Sequence, residues 1–390
     1  MMKVIQSCLL LICLLWMSCT TSEKTKSEWE QLPDYPISGG VSAPFIGNVG
    51  SKIMVAGGCN FPEKSAAEGG EKQYYDEIFL LDINDNNSSW ERVGKLPFPV
   101  AYGASVSLGT GIVCIGGNNR DSSLTSVFLL AWDDLKKETS ITPMPSLPHS
   151  RDNFSVATID SCIFVAGGNE DGIPSASFLR LDLKKPGEDW AELPCFPGSP
   201  RLQPVLVAQQ HTEDHCLYLA GGFSPGTLKN APCLPDDVLR FSVSSGNWAQ
   251  ETFLPLLEDG SSRTLTGGSG IVFGDSCILW AGGVNRNRFS AALDRPRQLR
   301  MVKEEGKSGR LDSLQKEITE YLIHPVEWYR FNSELLQYNI HTKIWDSLGE
   351  YEQLARAGAG MVISGNKLIV VCGELKPGIR TIQVNALQLR

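Results

Sequence analysis

The chain has 390 residues, a formal net charge of −9 and 42% hydrophobic residues. The negative charge excludes a nucleic-acid surface or an anionic membrane surface as the main partner, because both require a basic face. The hydrophobic fraction is enough for a continuous core in a chain that is too long for one small sandwich.

The N-terminus predicts an export signal over residues 1–19. Lys3 supplies the positive start, an apolar run extends from Val4 to Trp16, and Cys19 follows a small residue. The run is too short to remain as a membrane-spanning helix. We expect either lipidation at Cys19, as in bacterial lipoproteins, or ordinary signal-peptide cleavage. The polar residues 20–27 would then be a tether.

A short apolar run ending in two glycines occurs five times beyond this point. The copies are residues 53–58, 112–117, 163–168, 217–222 and 278–283. A sixth run ends in Cys372, Gly373 and Glu374, and we take Glu374 to occupy the place of the second glycine. Such runs at intervals of about fifty residues are typical of kelch-type β-propellers.

A tryptophan followed by leucine or proline repeats in phase with the glycine pairs, and Trp132 is a looser copy. We expect each on the outer strand of a blade: Trp90, Trp190, Trp248 and Trp345. The C-terminal blade has no such strand, and the missing piece stands at residues 29–33. The sequence therefore predicts an all-β, six-bladed propeller over residues 28–390, closed by its N-terminal strand.

The long interval before the last blade predicts an insertion at residues 286–330. Apolar residues at helical spacing between Leu311 and Leu322 indicate one amphipathic helix, which Pro325 ends. A shorter helix is expected around residues 293–301. The insertion would be either decoration on the rim or a lid over the channel mouth.

Eight cysteines lie beyond Cys19, and their spacing does not resemble a metal site. We therefore expect neither a metal nor another cofactor. Export permits disulfides, but the sequence does not specify any.

Glu374 and Arg380 are the first candidates for chemistry. Pro377 and Gly378 between them fit the centre of a type II turn, which would place both charges at one rim on adjacent strands. A plain surface ion pair is the alternative. We favour a site, because the glycine-pair strands line the inside of the ring.

The motif at residues 373–381 resembles that of the exported N-acetylneuraminate epimerases, or sialic acid mutarotases, a family of kelch propellers. Residues 282–289 and 329–336 are also similar to that family. The first two blades resemble the last blades of the family, which implies its circularly permuted branch. A closed ring tolerates such permutation, since every blade keeps two neighbours.

The resemblance implies a catalytic role for Glu374 and Arg380. Glu374 would be the general acid and base that opens the ring of the sialic acid, and Arg380 would hold the carboxylate or polarise the anomeric oxygen. The substrate would be a small sugar acid, and no cofactor is required. The implied location is the periplasm, with a possible lipid anchor to the outer membrane of a Gram-negative bacterium.

An acidic sugar requires a local positive field, and arginines precede the inner strands of several blades. Arg151, Arg201 and Arg356 are predicted to bind substrate, whereas Arg263 is less well aligned. The alternative is that they tie neighbouring blades together. Asn285 follows a glycine pair and would be either a turn residue or a substrate contact.

A second class of function remains open. The chain could be a non-catalytic kelch propeller that binds a glycan or a protein. In that case replacing Glu374 by glutamine would leave ligand affinity intact, and no activity would be lost.

Overall fold

The structure is a computed structural model that describes residues 29–389 apart from 86, 110, 210–213, 305 and 307. The predicted export signal, the tether at residues 20–27 and Cys19 lie outside the described residues. The regular structure is mostly antiparallel β-strand, so the all-β prediction is confirmed.

Strands run through almost the whole described chain. Up to residue 182 they are β1 (Trp29–Leu32), β2 (Phe45–Val49), β3 (Lys52–Ala56), β4 (Cys59–Asn60), β5 (Gln73–Tyr74), β6 (Glu77–Asp82), β7 (Glu91–Lys95), β8 (Ala104–Leu108), β9 (Gly111–Ile115), β10 (Val127–Asp133), β11 (Glu138–Pro143), β12 (Arg151–Asp152), β13 (Ser155–Ile159), β14 (Cys162–Ala166), β15 (Asn169–Glu170), β16 (Ile173–Pro174) and β17 (Phe178–Asp182). From residue 191 they are β18 (Ala191–Leu193), β19 (Leu202–Gln209), β20 (Cys216–Phe223), β21 (Asp237–Ser242), β22 (Asn247–Phe253), β23 (Gly268–Phe273), β24 (Cys277–Gly282), β25 (Glu334–Asn339), β26 (Ile344–Glu350), β27 (Gly360–Ser364), β28 (Lys367–Val371), β29 (Glu374–Lys376), β30 (Ile379–Arg380) and β31 (Val384–Gln388).

Within the described residues these strands form six four-stranded antiparallel sheets. In strand order they are sheet 1 (β2-β3-β6-β7), sheet 2 (β8-β9-β10-β11), sheet 3 (β13-β14-β17-β18), sheet 4 (β19-β20-β21-β22), sheet 5 (β23-β24-β25-β26) and sheet 6 (β27-β28-β31-β1). The N-terminal strand β1 is thus the outer strand of the C-terminal sheet, with Trp29 opposite Leu387 and Leu32 opposite Val384.

The first strands of the six sheets contact one another in cyclic order, and β27 of sheet 6 contacts β2 of sheet 1. A cycle of backbone hydrogen bonds follows the same order at or just before the start of these strands. The amide of each member donates to the carbonyl of the member in the preceding sheet, over 2.7–3.4 Å. The six members, which we call the rim ring, are Ala43, Tyr102, Asn153, Gln203, Gly267 and Gly358.

Both faces of each sheet are buried, because each sheet packs between two others. In β3, for example, Ile53 and Val55 join the apolar cluster shared with sheet 6, and Met54 and Ala56 join the cluster shared with sheet 2. This explains why the second strand of each sheet reads as a continuous apolar run. Burying one such aliphatic side chain stabilises the fold by roughly 1.5–3 kcal/mol.

Tryptophans link three pairs of neighbouring sheets at the outside. Each donates its indole N–H over 2.9 Å to the carbonyl of a proline at the end of the preceding sheet. The pairs are Trp90 with Pro33, Trp190 with Pro145 and Trp248 with Pro194. Trp132 differs from the prediction, since it lies on β10, the third strand of sheet 2.

The α-helices of the described chain lie between β24 and β25. They are α1 (Arg286–Glu304), α2 (Ser308–Ile323) and α3 (Val326–Tyr329), and the chain also has short 3-10 turns at Ala66–Glu68 and Glu352–Leu354. Helix α1 is longer than the sequence indicated, because its first turn is polar and shows no apolar stripe. Among the described residues, no helix has both the length and the apolar character needed to cross a membrane.

Candidate functional site

The site is built on the hairpin β29-β30, which follows the second strand of sheet 6. Glu374 lies opposite Arg380 in this hairpin. Gly378 has φ 84°, the left-handed value that the third position of a type II turn requires. The predicted turn between the two charges is therefore present.

The position of Glu374 relative to the glycine pairs differs from the prediction by one residue. In sheet 1 the paired glycines Gly57 and Gly58 donate to Glu77 and to Val100 of the next sheet; in sheet 6 the equivalent bonds come from Cys372 and Gly373. Cys372 has φ 53°, so a cysteine adopts the left-handed conformation of the first glycine. Glu374 is therefore the residue after the pair, and Cys372 is the one that breaks it.

Glu374 and Arg380 contact each other through their side chains. Arg380 Nη2 lies 3.6 Å from Glu374 Oε2, and the guanidinium is 3% exposed whereas the carboxylate is 23% exposed. The amide of Gly378 donates to Glu374 Oε1 over 2.8 Å, which fixes the carboxylate above the turn. A nearly buried cation thus lies beside a carboxylate that reaches solvent.

Arg380 has further neighbours from sheet 1. Its Nε donates to Ser42 Oγ over 3.1 Å, and the guanidinium carbon lies 5.0 Å from the centre of the Phe61 ring. Its Nη1 is buried without a hydrogen-bond partner among the described residues. Because an unmade hydrogen bond of a buried charged group is costly, this nitrogen is available to an oxygen of a ligand.

Tyr102 of sheet 2 completes the charged cluster. Burial raises the pKa of its hydroxyl well above the ordinary value; Cys59 and Glu374 raise it further, whereas Arg380 lowers it. Burial disfavours the charge of Arg380, but Glu374 and then Tyr102 outweigh this effect and raise the pKa of the guanidinium. Arg380 is therefore charged at any physiological pH, and the Tyr102 phenol keeps its proton.

The rim ring is asymmetric beside this cluster. Sheets 2, 3 and 4 contribute Tyr102, Asn153 and Gln203, whereas the other three sheets contribute alanine or glycine. Gln203 Nε2 donates to Asn153 Oδ1 over 2.9 Å. One half of the rim ring therefore carries long polar side chains, and the other half carries small residues that leave space for a ligand.

One cavity lies at the rim ring, and two others lie beside residues next to the charge pair or to Tyr102. The axial cavity, of about 240 Å³, is lined by Tyr102 and by segments of all six sheets, but neither Glu374 nor Arg380 lines it. A hollow of about 620 Å³ is lined by Lys72 and by Tyr74 of β5, and another of about 570 Å³ by Asn285 and Leu375. The two larger hollows can each hold a sugar. One adjoins Lys72, and the other adjoins Leu375, the residue after Glu374.

The predicted arginines are buried and bonded to protein atoms. Arg151 donates to Glu170 and Ser177, Arg201 donates to both oxygens of Asp237, and Arg356 donates to Gln383 and Asn385. Each guanidinium thereby ties the segment before the first strand of a sheet to a residue on or next to the third strand of that sheet. The backbone carbonyl of each of these arginines accepts a hydrogen bond from the amide of the second glycine in the glycine pair of the preceding sheet.

Of these arginines, Arg356 is the one whose backbone segment pairs with that of Glu374. Ala357, which follows Arg356, exchanges both backbone hydrogen bonds with Glu374. Arg263 pairs with Glu334. The position in sheet 5 equivalent to Arg356 is Leu265, two residues before the rim-ring glycine, which accounts for the weak alignment of Arg263.

Asn285 caps the insertion. Its Oδ1 accepts the amide of Arg288 over 3.1 Å, directly before α1 begins. The hairpin is in turn tied to the insertion, because Lys376 Nζ donates to the carbonyls of Leu322 and His324. Helix α2 also contacts the 3-10 turn of sheet 1. The insertion therefore spans from sheet 5 across the hairpin to sheet 1.

Sequence reasoning missed Tyr102, Ser42, Cys59 and Lys72 as members of the site. Tyr102 has no distinguishing pattern in the sequence. Its left-handed backbone and its neighbours become visible only when sheets 1, 2 and 6 meet.

Among the described residues no group of three histidine, cysteine or acidic side chains is placed to hold a metal ion. The eight cysteines of this part of the chain are free thiols in the structure.

A family model described as N-acetylneuraminate epimerase matches residues 17–139 and 144–390. The chain belongs to this family. A protein of Haemophilus influenzae strain 86-028NP named N-acetylneuraminate epimerase is 33% identical over 241 residues, which are 62% of this chain and 58% of that protein. A protein of the same name from Salmonella typhi is 28% identical over 241 residues, 62% of this chain and 56% of that protein.

The chain thus spans less than two thirds of the length of these two relatives. A solved structure of a protein named YjhT is 24% identical, has a TM-score of 0.49, and is covered over 62% of its length by 61% of this chain.

Proposed function

We propose that the protein is a mutarotase that interconverts the α and β anomers of N-acetylneuraminate or a related sialic acid. The observation that carries the proposal is the pair of Glu374 and Arg380, in which a partly exposed carboxylate adjoins a buried guanidinium with a free N–H. The family membership and the names of the relatives support this substrate class.

The proposed reaction breaks and re-forms the bond between the anomeric carbon and the ring oxygen, with proton transfers at both oxygens. The Glu374 carboxylate removes the proton of the anomeric hydroxyl while the bond from the anomeric carbon to the ring oxygen breaks, and the ring oxygen takes a proton from water or from an acidic group of the site. The open chain then rotates and its hydroxyl attacks the other face of the ketone. That hydroxyl gives up its proton, and Glu374 returns its own proton to the new anomeric oxygen. One positioned acid–base group accelerates such a step by about 10²–10⁴-fold.

Arg380 binds the substrate carboxylate or the anomeric oxygen in this mechanism. Its unpartnered Nη1 supplies one donor, and Nη2 is close enough to Glu374 to place the bound oxygen beside the base. A guanidinium suits a planar carboxylate because its N–H groups form a rigid fork.

The predicted substrate contacts of Arg151, Arg201, Arg356 and Asn285 remain predictions. With the arginines bonded as they are, we propose that they act by holding the loops of the rim in place. Asn285 would act by fixing the start of the insertion.

We further propose that the six sheets are the blades of one closed propeller and that the chain is a circularly permuted member of its family. The cycle of hydrogen bonds and the pairing of β1 with β31 support closure. A rotated order also fits alignments that stop after 62% of this chain, since a linear alignment cannot follow both parts.

We also propose export, with Cys19 as the lipid-bearing residue of a periplasmic protein. The support is the sequence of residues 1–19 alone. Replacing Cys19 by alanine would move the protein from the membrane fraction to the soluble fraction of the periplasm. An unchanged membrane fraction would contradict lipidation.

The activity is tested by proton NMR on α-N-acetylneuraminate freshly released by a sialidase. The protein should speed the decay to the β anomer, and it should not do so for the methyl ester, which lacks the charge that Arg380 binds. A decay rate that equals that of buffer alone would remove this substrate. Saturable binding of the sugar without acceleration would favour the non-catalytic alternative.

A further inference from the structure

We propose that Tyr102 is the second acid–base group of this site: its hydroxyl exchanges a proton with the ring oxygen while Glu374 exchanges one with the anomeric hydroxyl, and Lys72 positions it. The inference rests on the proposed mutarotase function. It adds the group that the proposed reaction requires at the ring oxygen, for which neither Glu374 nor Arg380 is a proton donor.

The backbone at Tyr102 is the first observation. The residue has φ 58°, in the left-handed region that all six rim-ring residues share, and it is the one aromatic residue among them. A bulky aromatic residue is unfavourable there, and such strained residues cluster at functional sites. The conformation places the tyrosine side chain at the mouth, where it lines the axial cavity.

The contacts of the hydroxyl are the second observation. Lys72 Nζ donates to Tyr102 Oη over 3.2 Å and lies 4.7 Å from the centre of its ring. An ammonium group only donates, so the phenol oxygen is the acceptor of this bond. The phenol also shares a side-chain hydrogen bond with Cys59, which helps to raise the pKa of Tyr102, and a ligand oxygen would replace Cys59 as the acceptor of its proton. Lys72 comes from the loop between β4 and β5 and lines the hollow of about 620 Å³.

The charges around the hydroxyl are the third observation. Arg380, Glu374 and Cys59 all interact electrostatically with Tyr102, and Arg380 lowers its pKa while the other two raise it. Burial is the largest cause of the raised pKa, so the phenol carries its proton at neutral pH. The two cations, Lys72 and Arg380, would stabilise the phenolate when that proton leaves.

The step balances without any further reactant. Glu374 takes the proton of the anomeric hydroxyl, the carbonyl forms, the bond to the ring oxygen breaks, and that oxygen takes the proton of Tyr102. The open-chain state then holds a neutral Glu374 and a Tyr102 phenolate. On closure at the other face, the phenolate recovers its proton from the attacking hydroxyl and Glu374 protonates the new anomeric oxygen.

The test measures kcat and KM for anomer exchange by NMR in Tyr102→Phe, Lys72→Met and the wild-type protein. Loss of one acid–base group predicts a fall in kcat of about 10²-fold for Tyr102→Phe, with little change in KM. Lys72→Met should lower kcat less, since it removes only the group that orients the phenol. Arg92→Met on the outer strand of sheet 1 is the matched control and should retain the wild-type rate.

Ring-fluorinated tyrosines at position 102 distinguish proton transfer by the phenol from a purely structural role, because they keep the shape of tyrosine but are stronger acids. A graded change of kcat with phenol acidity is expected. Fluorinated variants that all retain the wild-type kcat, or a fully active Tyr102→Phe, would overturn the proposal. If Glu374→Gln is inactive while Tyr102→Phe is fully active, the mutarotase function stands and only this inference fails; an inactive wild type would remove the function itself.

Discussion

At the scale of single residues, the site rests on a charge pair with unequal exposure. The Arg380 guanidinium is almost entirely buried and has one free N–H, whereas Glu374 reaches solvent. Burial of a charge is costly unless its donors are used, so an anionic ligand would complete the partners of Arg380. We therefore expect the site to prefer acids over neutral sugars.

Arg380→Lys tests that preference. Lysine keeps the charge but loses the fork, and losing one charge-assisted hydrogen bond costs roughly 1.5 kcal/mol, so KM for N-acetylneuraminate should rise about tenfold. The measurement is the rate of anomer exchange as a function of sugar concentration. Arg92→Lys, whose side chain is 51% exposed, is the control and should leave KM unchanged. An unchanged KM in Arg380→Lys would show that the fork does not hold the carboxylate.

The charge pair could be predicted from the sequence because it is local. Pro377 and Gly378 determine a turn, and a turn brings together the residues on either side of it. The alignment of Glu374 was wrong by one residue, since Cys372 adopts a conformation that the sequence pattern reserves for glycine. Tyr102 and Ser42 could not be predicted, because they reach Arg380 from other sheets.

At the scale of elements, the hairpin β29-β30 is held between the insertion and the 3-10 turn Ala66–Glu68, which lies between β4 and β5. Lys376 binds the end of α2, and a Cβ added to Gly378 would lie 2.7 Å from Ala66 Cβ and 2.9 Å from its amide nitrogen. The close approach of two loops therefore requires glycine at this turn.

Gly378→Ala should consequently lower both stability and activity. A left-handed alanine costs about 1–2 kcal/mol, and the contact with Ala66 adds at least about 1 kcal/mol. Gly365→Ala is the matched control, since Gly365 has φ 57° and open space around its Cβ. Urea unfolding should show the larger loss for Gly378→Ala. Equal losses in the two variants would contradict the packing of the hairpin on sheet 1.

The bond between Arg151 and Glu170 predicts a pH dependence of stability. Burial raises the pKa of Glu170, but bonds from Ser177, Arg151 and Ser175 outweigh it, so the folded-state pKa lies below the ordinary 4.5. A lowered pKa contributes stability above pH 4.5 that is lost as the pH falls through the folded value. Glu170→Gln should therefore cost about 1–3 kcal/mol at pH 7 and less at pH 3.

The measurement is urea unfolding of Glu170→Gln and the wild-type protein between pH 7 and pH 3. Glu192→Gln, at an exposed position on β18, is the control. A difference between wild type and Glu170→Gln that stays constant over this range would rule out the carboxylate as its source.

Among the elements, the apolar strands were the easiest to predict, because both of their faces are buried and their pattern ends in glycine. The insertion was harder. Helix α2 has an apolar stripe, but the first turn of α1 contains arginine and asparagine and is fixed by the Asn285 cap and by packing, which the sequence pattern does not reveal.

At the scale of the whole molecule, the ends of the described chain meet in one sheet. The outer strand β1 pairs with β31, and Leu32 of β1 joins the apolar cluster between sheets 6 and 1. The all-β class and the family could be predicted from the repeats and from the motif at residues 373–381. The packing of side chains between neighbouring sheets could not be predicted, because it brings together residues that are distant in sequence.

Leu32→Ala tests the structural weight of the N-terminal strand. Leu32 is 8% exposed, and removing a buried leucine costs about 2–4 kcal/mol. Leu348, on the outer strand of sheet 5 and 38% exposed, is the matched control, and Leu348→Ala should cost below about 1 kcal/mol. The free energies of unfolding come from urea titrations. Equal effects of the two variants would contradict a closing role for β1.

The most direct test of the central claim is the rate of exchange between the two anomers of N-acetylneuraminate at equilibrium, measured by magnetisation transfer with the Glu374→Gln variant. We predict that the variant folds as the wild type does and loses at least about 10²-fold of the acceleration, because glutamine cannot accept and return the proton. Exchange as fast as with the wild-type protein would contradict the claim that the carboxylate beside Arg380 performs the chemistry.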